Sequence, residues 1–98
     1  MEIVAKVYFL KTEEGGRKSP ILSGYRPALY FGDKQTDGAI IVTDGIQVLP
    51  GEERELTIRL LHPEYVNDAL SPKSSFEVKE GLKVIGRGIV LKIYKVAS

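Results

Sequence analysis

Apolar residues occupy alternate positions from Ile3 through Ala5 and Val7 to Phe9, with Lys6 and Tyr8 between them. A period of two predicts a β-strand with one face on a core. The same alternation returns after Arg54: Leu56, Ile58 and Leu60 point one way and Glu55, Thr57 and Arg59 the other, until His62-Pro63 ends the ladder. Shorter apolar runs predict strands over 26–31, 39–42 and 76–79. Residues 82–96 are apolar on both faces. A strand that long must bend, and Gly86 and Gly88 are the expected bending points.

Turn chemistry separates these runs. In the segment 12–20, Gly15 and Gly16 allow positive φ and Pro20 cannot sit in a central ladder. Gly24 marks a further turn before Tyr25. Leu49-Pro50-Gly51-Glu52 fits a type II turn, with Pro presetting φ at the second position and Gly supplying φ > 0 at the third. Residues 63–75 carry two prolines and scattered polar groups, so an irregular stretch is expected there. Six or seven short strands without a helical period predict an all-β fold, a small closed antiparallel β-barrel or a sandwich. At 98 residues the chain is expected to form one domain over 1–98.

Composition narrows the chemistry. With no Cys there is no disulfide framework, thiolate zinc site or cysteine nucleophile, and the single His leaves a metal site dependent on carboxylates. No cofactor or metal is expected. Fourteen basic against thirteen acidic residues give a net charge of +1, without the overall footprint of a dedicated nucleic-acid binder. The N-terminus lacks the basic region and apolar block of a signal peptide, and no apolar run reaches the length of a membrane span. A soluble cytoplasmic protein without a membrane partner is expected.

The motifs that could carry catalysis read better as structure. Gly86-Arg87-Gly88 begins like a dinucleotide fingerprint, but it lies within a strand pattern and lacks the third Gly and the helix. No phosphate-binding loop of the nucleotide-hydrolase type occurs. His62 stands at a strand end with no nucleophile indicated, and packing or hydrogen bonding is its expected role. The carboxylate pairs Glu13-Glu14 and Glu52-Glu53 flank turns, where charges meet water. Local basic groups remain: Arg17, Lys18 and Arg26 around one loop, and Lys79, Lys83, Arg87, Lys92 and Lys95 near the C-terminus. Tyr8, Tyr25 and Tyr30 could stack on bases or serve as core residues with a polar tip.

The segment 14–27, Glu-Gly-Gly-Arg-Lys-Ser-Pro-Ile-Leu-Ser-Gly-Tyr-Arg-Pro, resembles the third, C-terminal domain of elongation factor Tu. Tyr30-Phe31, Asp37-Gly38, Leu49-Pro50-Gly51-Glu52, Leu61-His62-Pro63 and Lys79-Glu80-Gly81 continue the resemblance in order. It implies a closed antiparallel barrel. It also implies a role in holding the backbone of aminoacyl-tRNA and in touching neighbouring protein domains and an exchange factor. The GTPase chemistry of that factor belongs to another domain, so no enzyme is expected here. Arg17 and Lys18 fall where the family pattern has its Arg-His pair at the tRNA contact, and both can donate to phosphate. Ala28 replaces a Gln of that pattern, Asp37 a Thr, Leu82 a Gly and Arg87 an Ala, and the stretch 64–75 is longer. A carboxylate at Asp37 is unfavourable beside phosphate.

The expected function is a non-catalytic binding module that engages a protein partner in or near translation. The alternative is a domain that grips the backbone of structured RNA such as tRNA. Arg17, Lys18, Arg26, Lys83 and Arg87 are the candidate partner-binding residues, and Gly15, Gly16, Gly24, Pro50 and Gly51 the candidate structural turns.

Overall fold

The computed structural model describes residues 1–42 and 44–95. Its strands are β1 (Glu2–Phe9), β2 (Ala28–Phe31), β3 (Lys34–Ile41), β4 (Glu53–Leu60), β5 (Ser75–Glu80) and β6 (Lys83–Tyr94). They close into a barrel in the order β1-β4-β3-β2-β5-β6, every pair antiparallel, with β6 returning to β1. Closure removes the exposed strand edge on which chains associate by β-pairing, so a partner meets the outer face or the loops.

The alternating strands behave as their pattern requires. Ile3, Ala5, Val7 and Phe9 of β1 and Leu56, Ile58 and Leu60 of β4 are all buried in one core with Leu29, Ile40 and Val78. Each large aliphatic side chain removed from water contributes about 1.5–3 kcal/mol. Two-residue turns with Gly at the first central position join β2 to β3 through Gly32 (φ 67°) and β5 to β6 through Gly81 (φ 64°), as a type II′ hairpin demands.

Four strands have boundaries that differ from the sequence-based ones. β2 starts at Ala28 rather than at 26, because Pro27 has no N–H to continue the ladder, although its carbonyl still accepts from Gly38 N–H (3.1 Å). β3 begins at Lys34, well before 39, and its polar first half hid it. Within that half Thr36 is buried, its hydroxyl accepting from His62 N–H (3.0 Å) and donating to the Asp37 carbonyl (3.2 Å). β5 is one residue longer at each end than 76–79, and β6 ends at Tyr94, leaving Val96 outside the described residues. The 63–75 stretch holds two short 3₁₀ turns, Pro63–Tyr65 and Asn67–Ala69.

The glycines of β6 do not carry its bends. The register steps from Val78↔Gly86 to Lys79↔Val84 and from Val4↔Lys92 to Ala5↔Val90, so the extra residues are Ile85 and Leu91. Gly88 instead makes room for the Phe76 ring, whose Cε atoms lie 2.8 Å from where a Cβ would stand. Gly86 likewise allows the Tyr8 carbonyl to approach, 2.9 Å from such a Cβ. Among the described residues no helix is long and apolar enough to cross a membrane.

Candidate functional site

Residues 11–18 lie along the first half of β6 and are locked there from three points. At the near end, the Tyr8 hydroxyl donates to Glu14 Oε1 (2.5 Å), and the same oxygen accepts from Lys11 N–H (2.8 Å), capping the turn Thr12–Glu14. The Tyr8 hydrogen bond is the main cause that holds the Glu14 carboxyl below its usual range; in return it raises the Tyr8 hydroxyl. Gly15 (φ 96°) then takes the left-handed conformation that ends the turn. Of the two glycines that allow positive φ, only Gly15 uses it; Gly16 is not in the positive-φ region. Its requirement is space, since a Cβ there would collide with the Leu10 carbonyl, 2.7 Å from its carbon.

The second point is Lys83, whose Nζ donates to the Gly16 carbonyl (3.1 Å). The third is a cluster around Arg17. Its Nη1 meets Glu80 Oε1 at 2.7 Å, and its guanidinium carbon lies 4.4 Å from the centre of the Tyr25 ring. The Tyr25 hydroxyl donates to that same Glu80 oxygen (3.0 Å). Stacking and a charge-assisted bond together orient a planar guanidinium, a task for which Lys is a poor substitute. Burial is the leading cause that pushes the Tyr25 hydroxyl above its ordinary range. The Arg17 side chain is left 21% exposed.

The five candidate partner-binding residues are thus not one patch. Arg17 and Lys83 clamp the loop to the β5–β6 hairpin. Lys18 is exposed beside them. Arg26 is exposed on the far side of Tyr25, where Tyr25 and Pro27 accept from Ile40 and Gly38 and so set Arg26 against Ala39. Arg87 stands on the outer face of β6 between Tyr8 of β1 and Glu77 of β5.

Beside the clamp is a groove of about 410 Å³ lined by Arg17, Ser19, Pro20, Leu22, Tyr25 and Gln47. Gly24 (φ 96°) turns the chain under it and donates to the Ile40 carbonyl (2.7 Å). A backbone bridge between Ile21 and Val48 brings the 20–25 and 46–51 loops together. Pro50 and Gly51 form the expected turn: Gly51 has φ 91°, and Glu52 N–H donates to the Leu49 carbonyl (3.1 Å). These loops leave Leu22 (61% exposed), Ile46 and Leu49 in water, and the hairpin tip adds Leu82 at 96%.

The family model described as Elongation factor Tu C-terminal domain matches residues 1–94. The chain belongs to that family. The closed six-stranded barrel is the fold of the elongation factor Tu C-terminal domain, which is a non-catalytic domain. Against the family pattern, Ala28 and Asp37 prove to be direct cross-strand neighbours, with Lys79 on the other side of Ala28. The two substitutions therefore alter one spot on the elongation factor Tu-type surface, where the Asp37 carboxylate faces outward.

The remaining acidic candidates are structural. Glu14 and Glu52 cap turns through backbone N–H groups, and Glu53 lies 3.7 Å from Lys6 Nζ. His62 stacks on Tyr65 with ring centres 4.9 Å apart and has Glu64 at 3.7 Å. Among the described residues no three of His, Asp and Glu are grouped to hold a metal ion. Sequence reasoning missed Glu80 as the hub of the clamp, and it missed the exposed leucines. The hint in the sequence was that Glu80 is the sole acid of residues 79–98, among five basic residues.

Proposed function

We propose that this barrel is a non-catalytic binding module that engages a protein partner in or near translation, in the cytoplasm, through the surface around the Arg17–Tyr25–Glu80 cluster. One observation carries the reading: Arg17 and Lys83, the two cations at the centre of that surface, are already satisfied within the chain, by Glu80 and by the Gly16 carbonyl, while Leu22, Ile46, Leu49 and Leu82 stand exposed around them. Apolar side chains gathered at loops favour a protein surface, whereas a tRNA backbone calls for free cations. Asp37 adds a carboxylate where phosphate would lie.

The RNA reading retains one supporting observation, the exposed side chains of Lys18 and Arg26, which form no ion pair among the described residues. One experiment separates the two. A photo-crosslinking residue placed at Leu22 in cells is expected to yield a discrete protein adduct that disappears when Leu82→Asp is added. Titration of the purified barrel with bulk tRNA at low and physiological salt is expected to show no saturable binding. A steep salt-dependent tRNA affinity, or RNA as the crosslinked species, overturns the protein reading.

A further inference from the structure

The outer face of β6 has a different character from the clamp. Residues 83–95 contain Lys83, Arg87, Lys92 and Lys95 and no carboxylate. Apart from Lys83, none of these cations makes an ion pair or side-chain hydrogen bond among the described residues. Ile89, Leu91 and Tyr94 are exposed between them, so cation and apolar side chain alternate along the strand. Alternation from Ile89 points Leu91 outward, and the bulge at Leu91 then brings Lys92 and Tyr94 out on the same side.

A groove of about 560 Å³ opens on this face. Tyr8 and Tyr30 bound it, and Lys6, Arg87 and Ile89 line it. Both rings are held in place before any ligand arrives: Tyr8 by its bond to Glu14, and Tyr30 by Lys79 Nζ, 4.2 Å from the ring centre. Preorganised aromatic walls lower the ordering cost of binding. Glu53 and Glu77 also line the groove, Glu53 beside Lys6 and Glu77 across from Arg87.

We propose that the outer face of β6, with the Tyr8–Tyr30 groove at its centre, is a second binding surface that takes an acidic amphipathic segment of a partner protein. Carboxylates of the segment meet Arg87, Lys92 and Lys95. An apolar side chain enters the groove, and others cover Ile89, Leu91 and Tyr94. Charge complementarity selects this occupant. A second copy of the chain packed on the same face about a two-fold axis would set the three cations against their own kind. A nucleic-acid strand would leave the aliphatic side chains of Ile89 and Leu91 without stacking partners. The inference is independent of the protein-partner reading of the Arg17 surface, with which the groove shares no residue.

The test is selection from a displayed library of random peptides about twelve residues long on the immobilised barrel, followed by anisotropy titration of the enriched peptides. Enrichment of sequences that alternate Asp or Glu with Leu, Ile or Phe is expected. The double charge reversal Arg87→Glu/Lys92→Glu is expected to weaken the enriched peptides by about tenfold, and Ile89→Ser by about fivefold. All three side chains point to water, so thermal melting should report folded variants. Basic or neutral winners, no enrichment, or affinities unmoved by the charge reversal overturn the proposal. So does a single-stranded RNA of the same length that binds more tightly than the peptides at equal salt.

Discussion

The 11–25 loop with its β5–β6 hairpin and the outer face of β6 use the same residue types for opposite ends. In the first, Arg17 and Lys83 face groups of their own chain, and a tyrosine receives the guanidinium. In the second, Arg87 and Lys92 face water beside apolar side chains. A cation is therefore no guide to a binding site until its partners are known. What separates the two regions is whether a carboxylate or carbonyl lies within reach, and that depends on pairings made across the barrel.

The largest expected effects come from the glycines that let each region form. Gly16→Ala would drive a methyl group into the Leu10 backbone, which has no freedom to withdraw, so a loss of about 3 kcal/mol or more is expected. Gly88→Ala meets the edge of the Phe76 ring instead, and a ring can shift, so about 1–3 kcal/mol is expected. Urea denaturation of the two variants measures both. Should Gly88→Ala prove the costlier, the clamp loop is looser than its contacts imply and the contrast between the regions fails.

Next in size is the loss of the hub. Glu80→Gln keeps an acceptor for Tyr25 but removes the charge opposite Arg17. The pair is partly exposed, so screening limits the loss to about 0.5–1 kcal/mol. Arg87→Gln, which loses no ion pair or side-chain hydrogen bond among the described residues, is expected to change stability by less than about 0.5 kcal/mol. Glu80→Gln is further expected to release Arg17 to anions, raising affinity for bulk tRNA above that of the parent chain. Equal stability changes in the two variants would erase the distinction between clamped and free cations.

How far the sequence alone could draw these differences depends on the range of the interaction. The faces of β1 and β4 were legible because period-two alternation is local and each strand has one wet side. β3 was half hidden, because Thr36 occupies a core position and its hydroxyl is satisfied by a backbone group 26 residues away. The bulges at Ile85 and Leu91 carry no compositional mark, and the glycines that drew attention serve close approach. At the candidate site the cations were visible but their engagement was not: Glu80 is 63 residues from Arg17, and Lys83 is 67 from Gly16. No local pattern encodes a clamp of that span. The resemblance in 14–27 identified the barrel for the same reason in reverse, since its turn residues are contiguous.

The smallest expected effect is a pH dependence confined to the clamp. The Glu14 carboxyl is lowered from 4.5, chiefly by the Tyr8 hydroxyl, so its contribution is present above that pH and is lost as pH falls through the lower folded value. The Tyr8 hydroxyl is raised from 10.0, chiefly by Glu14, so its contribution is present below that pH and is lost as pH rises through the higher folded value. The latch is therefore whole between these limits and weakens beyond both. Tyr8→Phe removes the hydrogen bond and should flatten both slopes of melting temperature against pH while leaving the groove wall in place. Peptides selected on the β6 face should then bind about two- to threefold more weakly near neutral pH, because the ring is still there and only the ordering its tether supplied is lost. A large loss of peptide affinity in Tyr8→Phe would mean that the clamp also sets the shape of the groove, and the two regions would have to be treated as one.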